Sequence, residues 1–311
     1  MRRTFTQPRA NVLRANSATR PRGARAYTVI GLVVPIVIIL AILIALIVPM
    51  LASTGGQHKR ATCMQRQLEI ATGTFSFAMS NKDQYPLPSA LDAANTTINA
   101  DASSKDTTAN IISTLIFGRF FTPRECVSPF EQSRSIAVDN DYQYTLPQSA
   151  ANPKLALWDP GFSADFTSPS GGNLSFALML VSGPRLAGWS LTHDATKAIL
   201  GDRGPKVSGV IKDPSGEITP MFDAAGRKIS SHRSPNPEQT NVVYNDGHIS
   251  SMAHLWGERD DHAITYTDAQ GLAWPDLLHY DEPDDKLGTN NFLGIFTTSG
   301  KTPGEFKAIW D

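Results

Sequence analysis

The run Val29-Ile30-Gly31-Leu32-Val33-Val34-Pro35-Ile36-Val37-Ile38-Ile39-Leu40-Ala41-Ile42-Leu43-Ile44-Ala45-Leu46-Ile47-Val48-Pro49-Met50-Leu51 is apolar apart from one glycine and two prolines, and no charge occurs anywhere between Arg25 and Gln57. Its 23 residues would make roughly 35 Å of helix at about 1.5 Å per residue, more than the ~30 Å hydrocarbon layer of a bilayer. The run therefore reads as a membrane span. Arg2, Arg3, Arg9, Arg14, Arg20, Arg22 and Arg25 precede it with no acid among them, and the first acidic residue is Glu69. Arginine-rich flanks stay cytoplasmic, which puts the amino terminus inside and the chain after the span on the periplasmic or exterior side of the inner membrane. A signal peptide is the competing reading. Its apolar core is usually ~7–15 residues, shorter than this run, although Ala52-Ser53-Thr54 leaves a cut after the span open.

The boundary Arg25-Ala26-Tyr27-Thr28-Val29-Ile30-Gly31-Leu32-Val33-Val34, continuing to Ile42 through Pro49, resembles the amino termini of type IV prepilins and type II secretion pseudopilins. In that class a basic leader ends at a small residue, and a prepilin peptidase cuts before an aromatic residue whose new amine is methylated. The resemblance implies a cut between Ala26 and Tyr27. The family has Gly before the cut and Glu at the fifth mature position, where this chain has Ala26 and Gly31. In the family that carboxylate neutralises the amine of a neighbouring subunit inside an apolar bundle, where an unpaired charge is costly. Gly31 supplies no such partner, which implies a minor or tip position, or no polymer at all. Gly31 and Pro35 also weaken the first turns unless neighbours satisfy the freed backbone groups.

After the span, Ala61, Met64, Leu68, Ala71, Phe75 and Ala78 recur every three or four residues and predict an amphipathic helix packed on a head. Gly55-Gly56 offers a hinge before it, and Pro86 and Pro88 mark its end. Lys59 to Pro86, with its Asn81-Lys82-Asp83-Gln84-Tyr85-Pro86 exit, is similar to the same region of planctomycete-type pseudopilins. The expected layout is a basic leader over 1–26, a transmembrane helix over 27–52, a continuation helix over 53–85 and an exterior head over 86–311.

Charged residues make up 18% of the chain, and its 23 Gly and 21 Pro suit one loop-rich domain. The formal net charge is −1, and without the seven leader arginines it is −8, which argues against a nucleic-acid partner. The expected partners are membrane lipid, other pilin-like subunits reached through the amino-terminal helix, and the prepilin peptidase. Cys63 and Cys126 are the two cysteines, and an oxidising exterior favours a disulfide between them, contributing roughly 4 kcal/mol by loop closure; two buried thiols are the alternative. The polar segment Thr96 to Thr108 reads as a mobile loop.

Within the head, Asn110 to Phe121 predicts a short buried helix ended by Pro123, Leu174 to Val181 a buried run, and Lys197 to Asp202 a strand. Asp213-Pro214-Ser215-Gly216 and Asp223-Ala224-Ala225-Gly226 are turn signals. Asn241 to Tyr244 and His248 to Ser250 flank Asn245-Asp246-Gly247, a hairpin signature. The fold class is α+β: a long amino-terminal helix on a small antiparallel sheet with loop-rich insertions, as in pilins. Ile199 to Pro205, then Ser231-His232, then Asn241 to His248, resembles the carboxy-terminal His and Asp-Gly motif of planctomycete prepilin-type proteins. The gap of 13 residues between His232 and Asp246 is longer than the family's. The resemblance leaves His232, Asp246, Gly247 and His248 without an assigned role.

Histidines 232, 248, 254 and 262 with Asp202 and Asp246 are also residue types that bind metals or move protons, so an anchored exterior enzyme or binding module is the rival class. No GxSxG, HExxH, Walker or Rossmann pattern accompanies them. Asp281, Glu282, Asp284 and Asp285, near Asp276, are oxygen ligands of the kind Ca²⁺ takes, though the spacing is not that of an EF-hand and a solvated acidic turn is the simpler account. No other cofactor is expected.

Overall fold

The computed structural model describes residues 29–213, 218–222, 240–252, 255 and 264–310, with side chains along 29–57 described only at Val33, Val37, Ile38 and Leu40. The chain divides into two units, Met1–Thr54 and Gly55–Asp311. Helix α1 is Val29–Ser80, and Gly55-Gly56 falls within its bounds. In the first unit the four described side chains, all apolar, are exposed. Among the described residues no helix is long and apolar enough to cross a membrane. Ala26 and Tyr27 lie outside the described residues.

In the second unit the buried face of α1 is Cys63, Gln67, Ile70, Ala71, Thr74 and Ala78. That face is rotated from the expected stripe: Ala61 is exposed, and Met64, Leu68 and Phe75 are only partly buried. Hydropathy misplaced the face because two of its positions are polar. Thr74 returns its hydroxyl to the Ile70 carbonyl at 2.9 Å, and Gln67 finds a carboxylate on the sheet. Past Ser80 the chain reverses through Lys82 and Asp83, both left-handed at φ 56° and 60°, with the Asp83 amide bonded to the Ala78 carbonyl at 3.0 Å. Helix α2, Pro88–Leu91, follows.

Helix α3 is Thr108–Phe117, started by the Thr107 hydroxyl, which accepts from the Asn110 amide. It ends at Gly118, earlier than the expected Phe121, and Arg119 is left-handed at φ 60°. The strands are β1 Phe176–Met179, β2 Ala198–Asp202, β3 Val207–Lys212, β4 Ile218–Phe222, β5 Thr240–Tyr244, β6 Ile249–Met252, β7 Thr265–Thr267, β8 Ala273–Pro275, β9 Leu293–Thr298 and β10 Lys307–Ile309. Six form one sheet in the order β10-β9-β1-β2-β5-β6, with every pairing antiparallel. The protein is thus α+β with a small antiparallel sheet. β1, β2 and β5 are buried at every position, so the expected run at Leu174 to Val181 and the expected strand at Lys197 to Asp202 become central strands. They share one core with Ile70 and Ala71 of α1 and Ile111, Ile112, Leu115 and Ile116 of α3. A second, smaller core joins Val207, Ile218, Leu255 and Leu277. The expected turn at Asp213 to Gly216 falls between the paired β3 and β4, its residues 214–216 outside the described set, as are those of the turn at Asp223 to Gly226.

The segment after α2, expected to be mobile, is instead closed around a buried ion pair. Lys105 and Asp92 both have fully buried side chains, 2.9 Å apart. The Lys105 ammonium also donates to the Asp92 carbonyl and to Asn95 Oδ1, each at 2.5 Å, so three donors meet three oxygens. Burial raises the Asp92 pKa, but the Ile98 amide, Lys105, the Thr97 amide and Thr96 outweigh it and bring it down to about 2. Removing one partner of such a pair leaves the other charge buried. Lys105→Met is expected to cost about 3 kcal/mol in urea denaturation and to speed amide exchange over residues 92–105. An unchanged midpoint would show that the pair does not hold this segment.

Candidate functional site

Two motif regions of the sequence meet α1. At the end of β2, Asp202 is fully buried. Its Oδ1 accepts from Gln67 Nε2 at 2.7 Å and from the Cys63 thiol at 3.7 Å, and its Oδ2 accepts from the Asn241 amide on β5 at 2.7 Å. One carboxylate thereby joins α1, β2 and β5. Beside it Arg203 forms a two-pronged pair with Glu131 at 2.9 and 3.1 Å, its guanidinium lying 4.7 Å from the Phe166 ring centre. Burial pushes the Glu131 pKa up, but Arg203 prevails and the carboxyl is held below its ordinary range.

Cys63 and Cys126 are free thiols and both buried, so the expected disulfide is not formed. The Cys63 sulfur is committed to Asp202 and lies 3.4 Å from the Ser128 hydroxyl. Burial, reinforced by Asp202, raises the Cys63 thiol far above its ordinary pKa, and burial does the same at Cys126. Both stay protonated and shielded, unlike reactive cysteines.

The β5–β6 hairpin forms as its Asn245-Asp246-Gly247 turn predicts, with Gly247 at φ +90°. Asn245 is fully buried and is the hub of this end of the molecule. Its Oδ1 accepts from the Tyr85 hydroxyl at 3.1 Å and from the Thr192 and His193 amides at 3.0 and 3.1 Å, while its Nδ2 donates to the Ser190 carbonyl at 2.8 Å. Tyr85, the exit residue of the α1 segment, packs edge-on against Trp189, whose indole donates to the Pro86 carbonyl at 3.0 Å. Asp246 Oδ1 accepts from the His248 amide at 3.0 Å and lies 2.6 Å from its Nδ1, and the His248 ring stacks on Tyr244 at 4.4 Å. Although burial opposes it, His248 lowers the Asp246 pKa. Asp246, Gly247 and His248 are thus brought together as turn residues, whereas His232, His254 and His262 lie outside the described residues.

The acidic segment does not converge. Asp281 pairs with Arg185 at 2.5 Å, Asp284 with Lys212 at 2.6 Å, and Asp285 Oδ2 accepts the Thr289 and Asn290 amides at 2.6 Å. Glu282 turns inward to the Leu277 amide and to Asn290 Nδ2 at 2.5 Å. Among the described residues no three His, Cys, Asp or Glu side chains are grouped to hold a metal ion. Glu282 and Asp276 are instead a buried carboxyl pair. Burial raises Asp276 to about 7, and burial with the charge of Asp276 raises Glu282 to about 9. Composition marks the acidic run but not which member turns inward. The burial of Gln67, Lys105 and Asn245 has no sequence signal either, because a lone polar residue gives none, although Asn245 does belong to the hairpin signature.

Asn245→Ala is expected to destabilise the protein by about 3 kcal/mol, since several buried donors lose their acceptor, whereas His248→Ala should cost under about 1 kcal/mol. Equal losses in chemical denaturation would contradict the hub. At the carboxyl pair the folded chain keeps protons that the unfolded chain has released, so this contribution to stability is full below about pH 4 and is lost as pH rises toward 9. The melting temperature should fall from pH 5 to pH 9, and Glu282→Gln should flatten the fall. A wild-type profile with no downward slope would refute the shared burial.

No protein-family model, curated protein or solved structure matches this chain.

Proposed function

We propose that the protein is a membrane-anchored, pseudopilin-like structural subunit of a type II secretion or type IV pilus-like assembly. Its basic leader is removed by a prepilin peptidase between Ala26 and Tyr27, its apolar helix sits in the inner membrane or against sister helices, and its head lies outside. The observation that carries this reading is the charge-free run Val29 to Leu51 behind a seven-arginine leader, joined directly in sequence to a helix that docks on an antiparallel sheet. The exposed apolar side chains Val33, Val37 and Leu40 recur at helical spacing, which suits lipid or a neighbouring helix. The buried Asp202 and Asn245 clusters suit a structural role too, because they tie the helix and its exit to the sheet. Gly31 favours a minor or tip place, as it offers no carboxylate to a neighbour's amine.

Mass spectrometry of the native amino terminus tests the proposal. N-methylated Tyr27 is the expected first residue. An intact Met1 would leave an unprocessed anchor, and a start beyond Leu51 would make the protein a secreted one, either result overturning the pseudopilin reading.

A further inference from the structure

Within the second unit an open groove of about 460 Å³ runs between α1 and the aromatic pair Phe120 and Phe121. Leu68, Thr72, Gly73 and Ser76 line its helix side at helical spacing, and three of the four are small enough for another helix to come near. The charged residues that line it are both acids, Glu69 and Glu125. Glu69 Oε1 accepts from the Gln65 side chain at 2.8 Å, and Glu125 Oε2 accepts from the Thr122 amide at 3.0 Å and from the Thr122 hydroxyl. Each carboxylate keeps its other oxygen without a hydrogen bond among the described residues. Earlier on the same helix His58, Lys59, Arg60 and Ala61 are all exposed. Four consecutive residues go right round a helix of about 3.6 residues per turn, so α1 is bare of its own head there. Arg60 and Glu69 are nine residues apart, which is about two and a half turns, so they point to opposite sides of α1.

We propose that the groove receives a second copy of this chain, whose bare turn His58 to Ala61 lies in it and brings Lys59 and Arg60 to Glu69 and Glu125. The inference rests on the anchored reading above, because copies held by one membrane run parallel. Parallel copies at equal height would set Glu69 beside Glu69 and Lys59 beside Lys59, and like charges repel. A shift of nine residues, about 13.5 Å along the axis, replaces both repulsions by attractions. The half-turn between Arg60 and Glu69 lets them face each other with no rotation of one copy against the next. No acid occurs before Glu69, so the entering turn brings only positive charge to the two carboxylates. A contact between two different surfaces of the same chain need not close on itself, and it adds copies in a row.

Cross-linking of the full-length chain in phospholipid vesicles tests the contact. A mixture of Arg60→Cys and Glu69→Cys chains treated with a short bis-maleimide should give covalent dimer, while each variant alone gives no more than wild type, whose two thiols are buried. Adding Lys59→Glu to the Arg60→Cys chain should abolish the product by setting like charges together. If Glu69→Cys does not fold, Thr72→Cys, exposed about one turn further along, takes its place. No product from the mixture, which would leave the groove to another occupant, overturns the contact. So does equal product from Arg60→Cys alone, which would mean copies at equal height, or product unchanged by Lys59→Glu. Methylated Tyr27 without cross-linking sinks this contact alone, whereas cross-linking by a chain that keeps Met1 supports the contact and counts against the pseudopilin reading.

Discussion

The Asp202 carboxylate, withdrawn from water and shared among Gln67, Cys63 and the Asn241 amide, fixes how the helix lies on the sheet. An apolar helix face could slide or rotate over an apolar sheet at modest cost, because hydrophobic burial is not directional. A buried carboxylate permits no such freedom, since its acceptor sites must meet donors or remain unsatisfied at a cost of several kcal/mol. Only one rotation of α1 brings Gln67 and Cys63 to Asp202, and it is the one that leaves Ala61 exposed and buries Thr74. The same carboxylate binds the start of β5, so the register of the β2–β5 pair and the seat of the helix are set together.

Asn245 performs the same task at the other end. Its carbonyl oxygen gathers the exit of α1 through Tyr85 and the backbone at Thr192 and His193. The Asp-Gly that follows reverses the chain into β6. Of the chemically suggestive motif residues, Asp202 and Asp246 are thereby taken up by hydrogen bonds of the scaffold. Both carboxamide and carboxylate here hold backbone and helix in place through buried hydrogen bonds.

What could be read from the sequence follows the range of the interactions involved. The hairpin at Asn245 to Gly247 and the strand ending at Asp202 were legible because turn chemistry and apolar runs are local signals. Helix α1 was legible as a helix but not in its rotation, since Gln67 is buried by a partner 135 residues away in the chain. Thr96 to Thr108 reads as mobile because polar composition conceals the Lys105–Asp92 pair, which is specified by one lysine and one aspartate with no periodicity. The two cysteines invited a bridge by their compartment, yet the Cys63 sulfur is oriented by Asp202 and Ser128, which composition cannot register.

Native-state hydrogen exchange on an Asp202→Ala variant addresses the helix seat directly. The account predicts that amides from Cys63 to Ala78 and those of β5 lose protection together, opening as one unit well below the global unfolding free energy. If α1 amides keep wild-type protection while exchange changes at Asn241 alone, the carboxylate does not govern how helix and sheet are joined.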